Sequence, residues 1–212
     1  HRSPALPVLV STLLLGAAVA ASAAPAAAPR PLMRYPDVRG DTVVFVHGED
    51  VWTVPLRGGV ARRLTIDPGE ERNPKISPDG ALVAFTGEID GNADAYVMNL
   101  DGGAITRLTW HPAGDEVVGW HPTSGKVIFR SARASFSRFD RLFMVAPDGT
   151  GLEQLPLPEA SYGSFSADGG RIAYTRVGVE DRTWKRYHGG MAPDLYVYEL
   201  ASQVDRKITD ST

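Results

Sequence analysis

Short apolar runs alternate with turn residues along most of this chain, and they come in pairs. The first members of the pairs are 42–46 (TVVFV), 82–86 (LVAFT), 126–130 (KVIFR) and 171–175 (RIAYT). Their partners are 51–54 (VWTV), 95–100 (AYVMNL), 142–146 (LFMVA) and 195–200 (LYVYEL). Each run is rich in β-branched and aromatic residues and bounded by turn formers, so each predicts a strand. A more polar segment follows each pair: Arg63-Leu64-Thr65, Arg107-Leu108-Thr109, the weaker Gln154-Leu155 and Lys207-Ile208-Thr209. These read as outer strands with one face in solvent.

A glycine turn precedes every first strand, at Gly40, Gly80, Gly125 and Gly169, which sets intervals of 40, 45 and 44 residues. Asp-Gly dipeptides at Asp79, Asp90, Asp101, Asp148 and Asp168 supply residues that tolerate positive φ in tight hairpins. A period of about 40–45 residues with four strands per unit is the signature of a β-propeller blade. The fold class is therefore all-β, a β-propeller, with about four four-stranded blades over 32–212. The blades are approximately 32–71, 72–116, 117–160 and 161–212. A β-sandwich of equal strand count gives no reason for the fixed period.

The first residues follow a different grammar. His1 and Arg2 are basic, Leu6 to Ala20 is apolar, and Ala21-Ser22-Ala23 fits a small-x-small cleavage site. The apolar run is shorter than the roughly 20 residues a bilayer helix needs. Residues 1–23 are read as a signal peptide, and 24–31 as an Ala/Pro linker. The expected location is periplasmic or secreted, with no membrane span after cleavage.

With a formal net charge of −3, the chain carries no polyanion footprint, so nucleic acid is not an expected partner. It has no cysteine, which removes disulfides, thiolate metal sites and a Cys nucleophile. No catalytic residue is assigned. Gly163-Ser164-Phe165-Ser166-Ala167 is no nucleophile elbow, since Phe165 stands at the serine position and Ala167 at the last glycine. His111 and His121 recur in Trp-His-Pro contexts, as a repeat-determined turn would place them. No metal site or cofactor is assigned either. Asp90-Gly91-Asn92-Ala93-Asp94 partly mimics a calcium loop, but Ala95 stands where that loop needs glycine.

The candidate binding residues lie on two long loops between second and third strands. One carries Arg130, Arg133, Arg138 and Arg141 with Phe136 and Phe139 between them; the other, 177–193, carries Trp184, Lys185 and Arg186. Arg133, Arg138, Trp184, Lys185 and Arg186 are the substrate-binding candidates, because guanidinium groups beside aromatic rings suit peptide carboxylates. A solvated or interdomain face would explain the same residues.

Ser77-Pro78-Asp79-Gly80 and the later Tyr96-Val97-Met98-Asn99-Leu100-Asp101-Gly102-Gly103 resemble WD-like repeats of the Tol-system propeller and of several peptidases. Two stretches narrow the resemblance to the N-terminal propeller of tricorn-type proteases. They are Leu108-Thr109-Trp110-His111-Pro112 with Asp115 to Trp120, and Thr183 to Leu195. That resemblance implies a six-bladed ring, and a parent serine peptidase acting on peptides or unfolded polypeptide, with its nucleophile beyond Thr212. The blades here would scaffold the catalytic domain or gate peptide access to it, beside remaining blades and downstream domains of the same chain. The family anchors a substrate carboxylate with neighbouring arginines. The third-blade loop has no such pair, and Arg62-Arg63 lies in an outer strand. A non-enzymatic Tol-like binding propeller and the propeller cap of a prolyl-oligopeptidase-like hydrolase share the same repeat and stay open here.

Overall fold

The computed structural model describes residues 32–136, 139–178 and 192–209, and these form sixteen strands with no helix among the described residues. The first sheet holds β1 (Arg34–Arg39), β2 (Thr42–His47), β3 (Asp50–Pro55) and β4 (Arg62–Arg63). The second holds β5 (Glu71–Ile76), β6 (Leu82–Gly87), β7 (Asp94–Asn99) and β8 (Thr106–Arg107). In the third are β9 (Asp115–Trp120), β10 (Val127–Ser131), β11 (Arg141–Val145) and β12 (Glu153–Gln154). The fourth contains β13 (Tyr162–Phe165), β14 (Arg171–Thr175), β15 (Leu195–Glu199) and β16 (Val204–Lys207). Every sheet is an antiparallel meander in chain order.

The sheets stack in sequence, with β1 against β5, β5 against β9, and β9 against β13. Three clusters fill the gaps between them. Val44, Val51, Ile76, Val83 and Phe85 join the first two sheets. Ala84, Val97, Leu108, Val117 and Phe129 join the second and third. Ile128, Leu142, Ile172 and Tyr174 join the third and fourth. Central strands of the middle sheets are covered on both faces, which is why β6, β7 and β10 read as continuous apolar runs rather than alternating ones.

Two of the innermost strands, β1 and β5, are polar and carry a proline, Pro36 and Pro74. Proline fits there because these strands pair on one side only. In the first three sheets a one-residue slip interrupts the pairing of inner strand to second strand. At two of these slips a non-glycine residue takes positive φ, Tyr35 at 53° and Asn73 at 53°.

Candidate functional site

The end of β10 and the residues just after it turn Arg130 and Arg133 inward. Arg130 is buried, with Nη2 donating to Glu116 Oε2 at 2.5 Å, Nη1 to Ser161 Oγ at 2.8 Å, and its guanidinium 4.6 Å from the Tyr162 ring centre. Arg133 donates to Asp115 and lies over the rings of Phe129 and Phe143, at 5.0 and 5.3 Å. The sequence places Arg133 on a peptide-facing loop. In the fold its charge is instead committed to Asp115, a wholly buried carboxylate at the start of β9. Burial pushes the Asp115 carboxyl up, against hydrogen bonds from Ser131 and Thr109 and the Arg133 charge. Phe136, on the same loop, is fully exposed. Arg138 and the three candidates of the second loop, Trp184, Lys185 and Arg186, lie outside the described residues.

The Arg62-Arg63 pair is also committed within the fold. Arg62 donates to the carbonyls of Asp101 and Leu100 at 2.9 and 3.0 Å, which ties the first sheet to a turn of the second. Arg63 donates to Asp50 Oδ1 at 2.6 Å and to the Thr65 carbonyl at 2.8 Å.

Arg63 belongs to a clasp that the sequence shows only as a repeated Arg-Leu-Thr. In the first sheet the Thr65 hydroxyl accepts the Val51 N–H at 2.8 Å and donates to Glu71 Oε2 at 2.9 Å, the first residue of the next sheet. In the second sheet Arg107 grips Asp94 at 2.7 Å, and Thr109 accepts the Ala95 N–H at 3.0 Å. The same Arg107 reaches Asp90 at 2.8 Å, and Asn92 Nδ2 donates to the His111 carbonyl at 2.9 Å. The acidic loop that partly mimics a calcium site is thus a hairpin closed by its own arginine.

His121 takes the part of a turn serine. Its Nδ1 accepts the Ser124 N–H at 3.2 Å, much as Ser77 Oγ accepts the Leu82 N–H at 2.9 Å and Ser166 Oγ the Arg171 N–H at 3.0 Å. His111 Nδ1 likewise accepts the Ala113 N–H, at 3.0 Å.

An axial recess of about 700 Å³ is lined by the ends of all four innermost strands. Its wall includes Asp37, Arg39, Lys75, Gly119, Trp120 and Phe165. Asp37 is tied to the neighbouring strand, accepting the Ile76 N–H at 2.9 Å with Lys75 Nζ 3.8 Å away, and Trp120 Nε1 donates to the Lys75 carbonyl at 2.8 Å. Arg39 is exposed at its rim. This mouth is opposite the C-terminal end of β10, because the inner strands end here and Ser131 pairs with Asp115 where β9 begins. A purely loop-based reading of the sequence misses it; the signal was the polar Asn73–Gly80 segment leading into a turn.

Residues 30–212 match the family model of the tricorn protease N-terminal β-propeller domain. A tricorn protease homolog from Streptomyces coelicolor is 33% identical over 172 residues, covering 78% of this chain and 16% of that protein. The tricorn protease of Thermoplasma acidophilum is 31% identical over 189 residues, 84% of this chain and 17% of its own. A tricorn protease crystal structure superposes with a TM-score of 0.74 at 28% identity, covering 86% of this chain and 18% of the other. The chain thus spans about a sixth of the length of these two curated relatives. With an all-β fold of four stacked four-stranded sheets and a family match over nearly all residues after the linker, this chain belongs to the tricorn protease N-terminal β-propeller family.

Proposed function

We propose that this chain is the N-terminal propeller portion of an exported tricorn-like serine peptidase, where it gates peptide access to a catalytic domain outside these residues. The family match over residues 30–212 carries the reading. The axial cavity supports the gating role: its wall mixes one carboxylate, two cations and aromatic rings, which suits an extended polypeptide of varied sequence. Export rests on the basic start, apolar run and Ala-Ser-Ala site, with Ala24 as the first mature residue. Mass spectrometry of the exported protein tests that, and an uncleaved cytoplasmic chain would refute it.

Gating is tested in the full-length protein by Gly119→Trp. A Cβ at Gly119 meets nothing within 4 Å, so the indole enters the cavity rather than the core. The expected result is a loss of kcat/KM for decapeptides of about fivefold or more, equivalent to about 1 kcal/mol, with a dipeptide-based chromogenic substrate unaffected. An unchanged ratio between long and short substrates would remove the gating role.

A further inference from the structure

Three of the four innermost strands, β5, β9 and β13, lead into a turn of the same hydrogen-bonded form. The Ser77 N–H donates to the Leu82 carbonyl at 2.9 Å, the His121 N–H to the Lys126 carbonyl at 2.8 Å, and the Ser166 N–H to the Arg171 carbonyl at 2.9 Å. In each, a glycine closes the turn: Gly80, Gly125 and Gly169 donate back to the carbonyl of that first residue. His121 thus holds the place of a serine. The two serines have nothing to titrate. Each hydroxyl accepts a backbone N–H, from Leu82 or Arg171, and donates to Asp79 or Asp168. In the third sheet the turn is held instead by the Ser124 N–H donating to His121 Nδ1 at 3.2 Å, with Thr123 Oγ1 3.4 Å from the same nitrogen. An imidazole accepts there only while Nδ1 carries no proton.

The same ring is a joint between sheets. Its centre lies 4.6 Å from that of Phe165. Gly169 backs it so closely that an added Cβ would fall 2.7 Å from Cε1 and 3.1 Å from Nε2. Trp120 and Pro122, on either side of His121 in the chain, line the axial recess, as do Phe165 and Ala167 across the junction.

The charged groups around the ring come from both sheets. Lys126 and Glu153, of the third, are paired with each other at 2.6 Å. On the fourth-sheet turn, Asp168 is taken up by the Ser166 hydroxyl and the Gly170 N–H, with Arg171 near it. Burial lowers the imidazole pKa from its ordinary 6.5, against the Glu153 charge and together with that of Lys126.

We propose that His121 is an acid-released latch on the wall of the axial recess. Neutral, it caps its own turn and seats the third sheet against the fourth. Protonated at Nδ1, it sets one donor against another, the Ser124 N–H loses its acceptor, and the wall between Trp120 and Phe165 loosens. The folded chain resists a proton that the unfolded chain takes up at 6.5, so the neutral ring's contribution is fully present above 6.5 and is lost as pH falls through that value. Glu71 acts with the opposite sign, since its carboxyl is raised by burial and weakens the fold as pH rises.

The test uses the full-length protein and two mass-spectrometric readouts. Exchange at the histidine C2–H should place the His121 midpoint below 6.5. Amide exchange, corrected for intrinsic rates, should show protection in 121–126 and 162–165 about fivefold lower at pH 5 than at pH 7.5, the effect of losing one hydrogen bond. His121→Asn puts an amide oxygen where Nδ1 lies and cannot take up the proton. It should match the natural protein at pH 7.5 and keep that protection at pH 5. A His121 midpoint at or above the unfolded value, equal protection of the natural protein at the two pH values, or the same loss in His121→Asn would each overturn the latch. The midpoint needs no variant, so a poorly folded His121→Asn still leaves the proposal open to refutation. No readout involves a substrate, and the gating experiment can fail with the latch intact.

Discussion

Glu71 lies wholly out of solvent, with Oε2 held by Thr65 and Oε1 facing no polar partner. Burial raises its carboxyl to about 7; the Thr65 hydrogen bond and the Arg63 charge oppose this, while Asp50 and Asp67 add to it. The folded state therefore holds a proton that the unfolded chain gives up near 4.5. The stability tied to that proton is fully present below pH 4.5 and is lost as pH rises through 7. The ceiling on the loss is about 3 kcal/mol, at roughly 1.4 kcal/mol per pH unit over that window. Urea unfolding at pH 5 and pH 8 should show the natural chain weaker at the higher pH, with Glu71→Gln showing a flatter profile. Equal slopes for the two proteins would mean Glu71 is ionised in the fold. At this scale the sequence was least legible. Arg133 looked like a loop cation because its partner Asp115 is eighteen residues away and on another strand. Likewise, nothing local to Arg63-Leu64-Thr65 announces that Thr65 reaches the next sheet.

At the scale of the hairpin the sequence was far more legible, since turn chemistry is local. All five Asp-Gly glycines take positive φ, from 74° to 99°. Ser77 and Ser166 close their turns through Asp79 and Asp168, each at 2.5 Å. The apolar pairs 42–46 and 51–54 fall inside β2 and β3, and the later pairs agree with the structure to about a residue at either end. Innermost strands were harder to read, because Arg34–Arg39 and Glu71–Ile76 have no apolar alternation and each contains a proline. Their pairing on a single side removes the need for either signal. Two glycines with similar φ separate turn strain from packing. At Gly80, with φ +78°, an added Cβ would meet nothing within 4 Å, whereas at Gly169, with φ +74°, it would lie 2.7 Å from His121 Cε1. The His121 ring is itself packed on Phe165, with centres 4.6 Å apart, and cannot yield without losing that contact. Gly80→Ala should cost about 1 kcal/mol for the left-handed backbone alone. Gly169→Ala should cost at least about twice that, since it also prises apart the third and fourth sheets. Chemical denaturation of the two variants decides this, and equal costs would show that His121 moves freely.

Across the whole molecule, burial is graded along the stack. In the second and third sheets β6, β7 and β10 are buried almost throughout, on both faces. In the fourth sheet β14 alternates between buried and exposed, and β16 is exposed along its length. The first sheet keeps Val44, Val46 and Val51 buried, but Val38 of β1 is 54% exposed. The repeat period foretold the units, but could not foretell this gradient, because each unit has nearly the same apolar content and only its neighbours decide how much is covered. In a linear stack, stability is the sum of unit and interface contributions, and the outer units have one interface instead of two. Apolar area left uncovered forgoes about 25 cal/mol per Å². Local opening should therefore start at the outer sheets. In hydrogen exchange of this chain, amides of β6, β7, β10 and β11 should be at least about tenfold more protected than those of β15, a difference of about 1.4 kcal/mol. The β2 and β3 amides should fall between, since Val44 and Val51 are seated on the second sheet while Val43, Trp52 and Val54 on the other face are half-buried. Uniform protection across all four sheets would show that they open as a single cooperative unit, and that interface number does not set the order of opening.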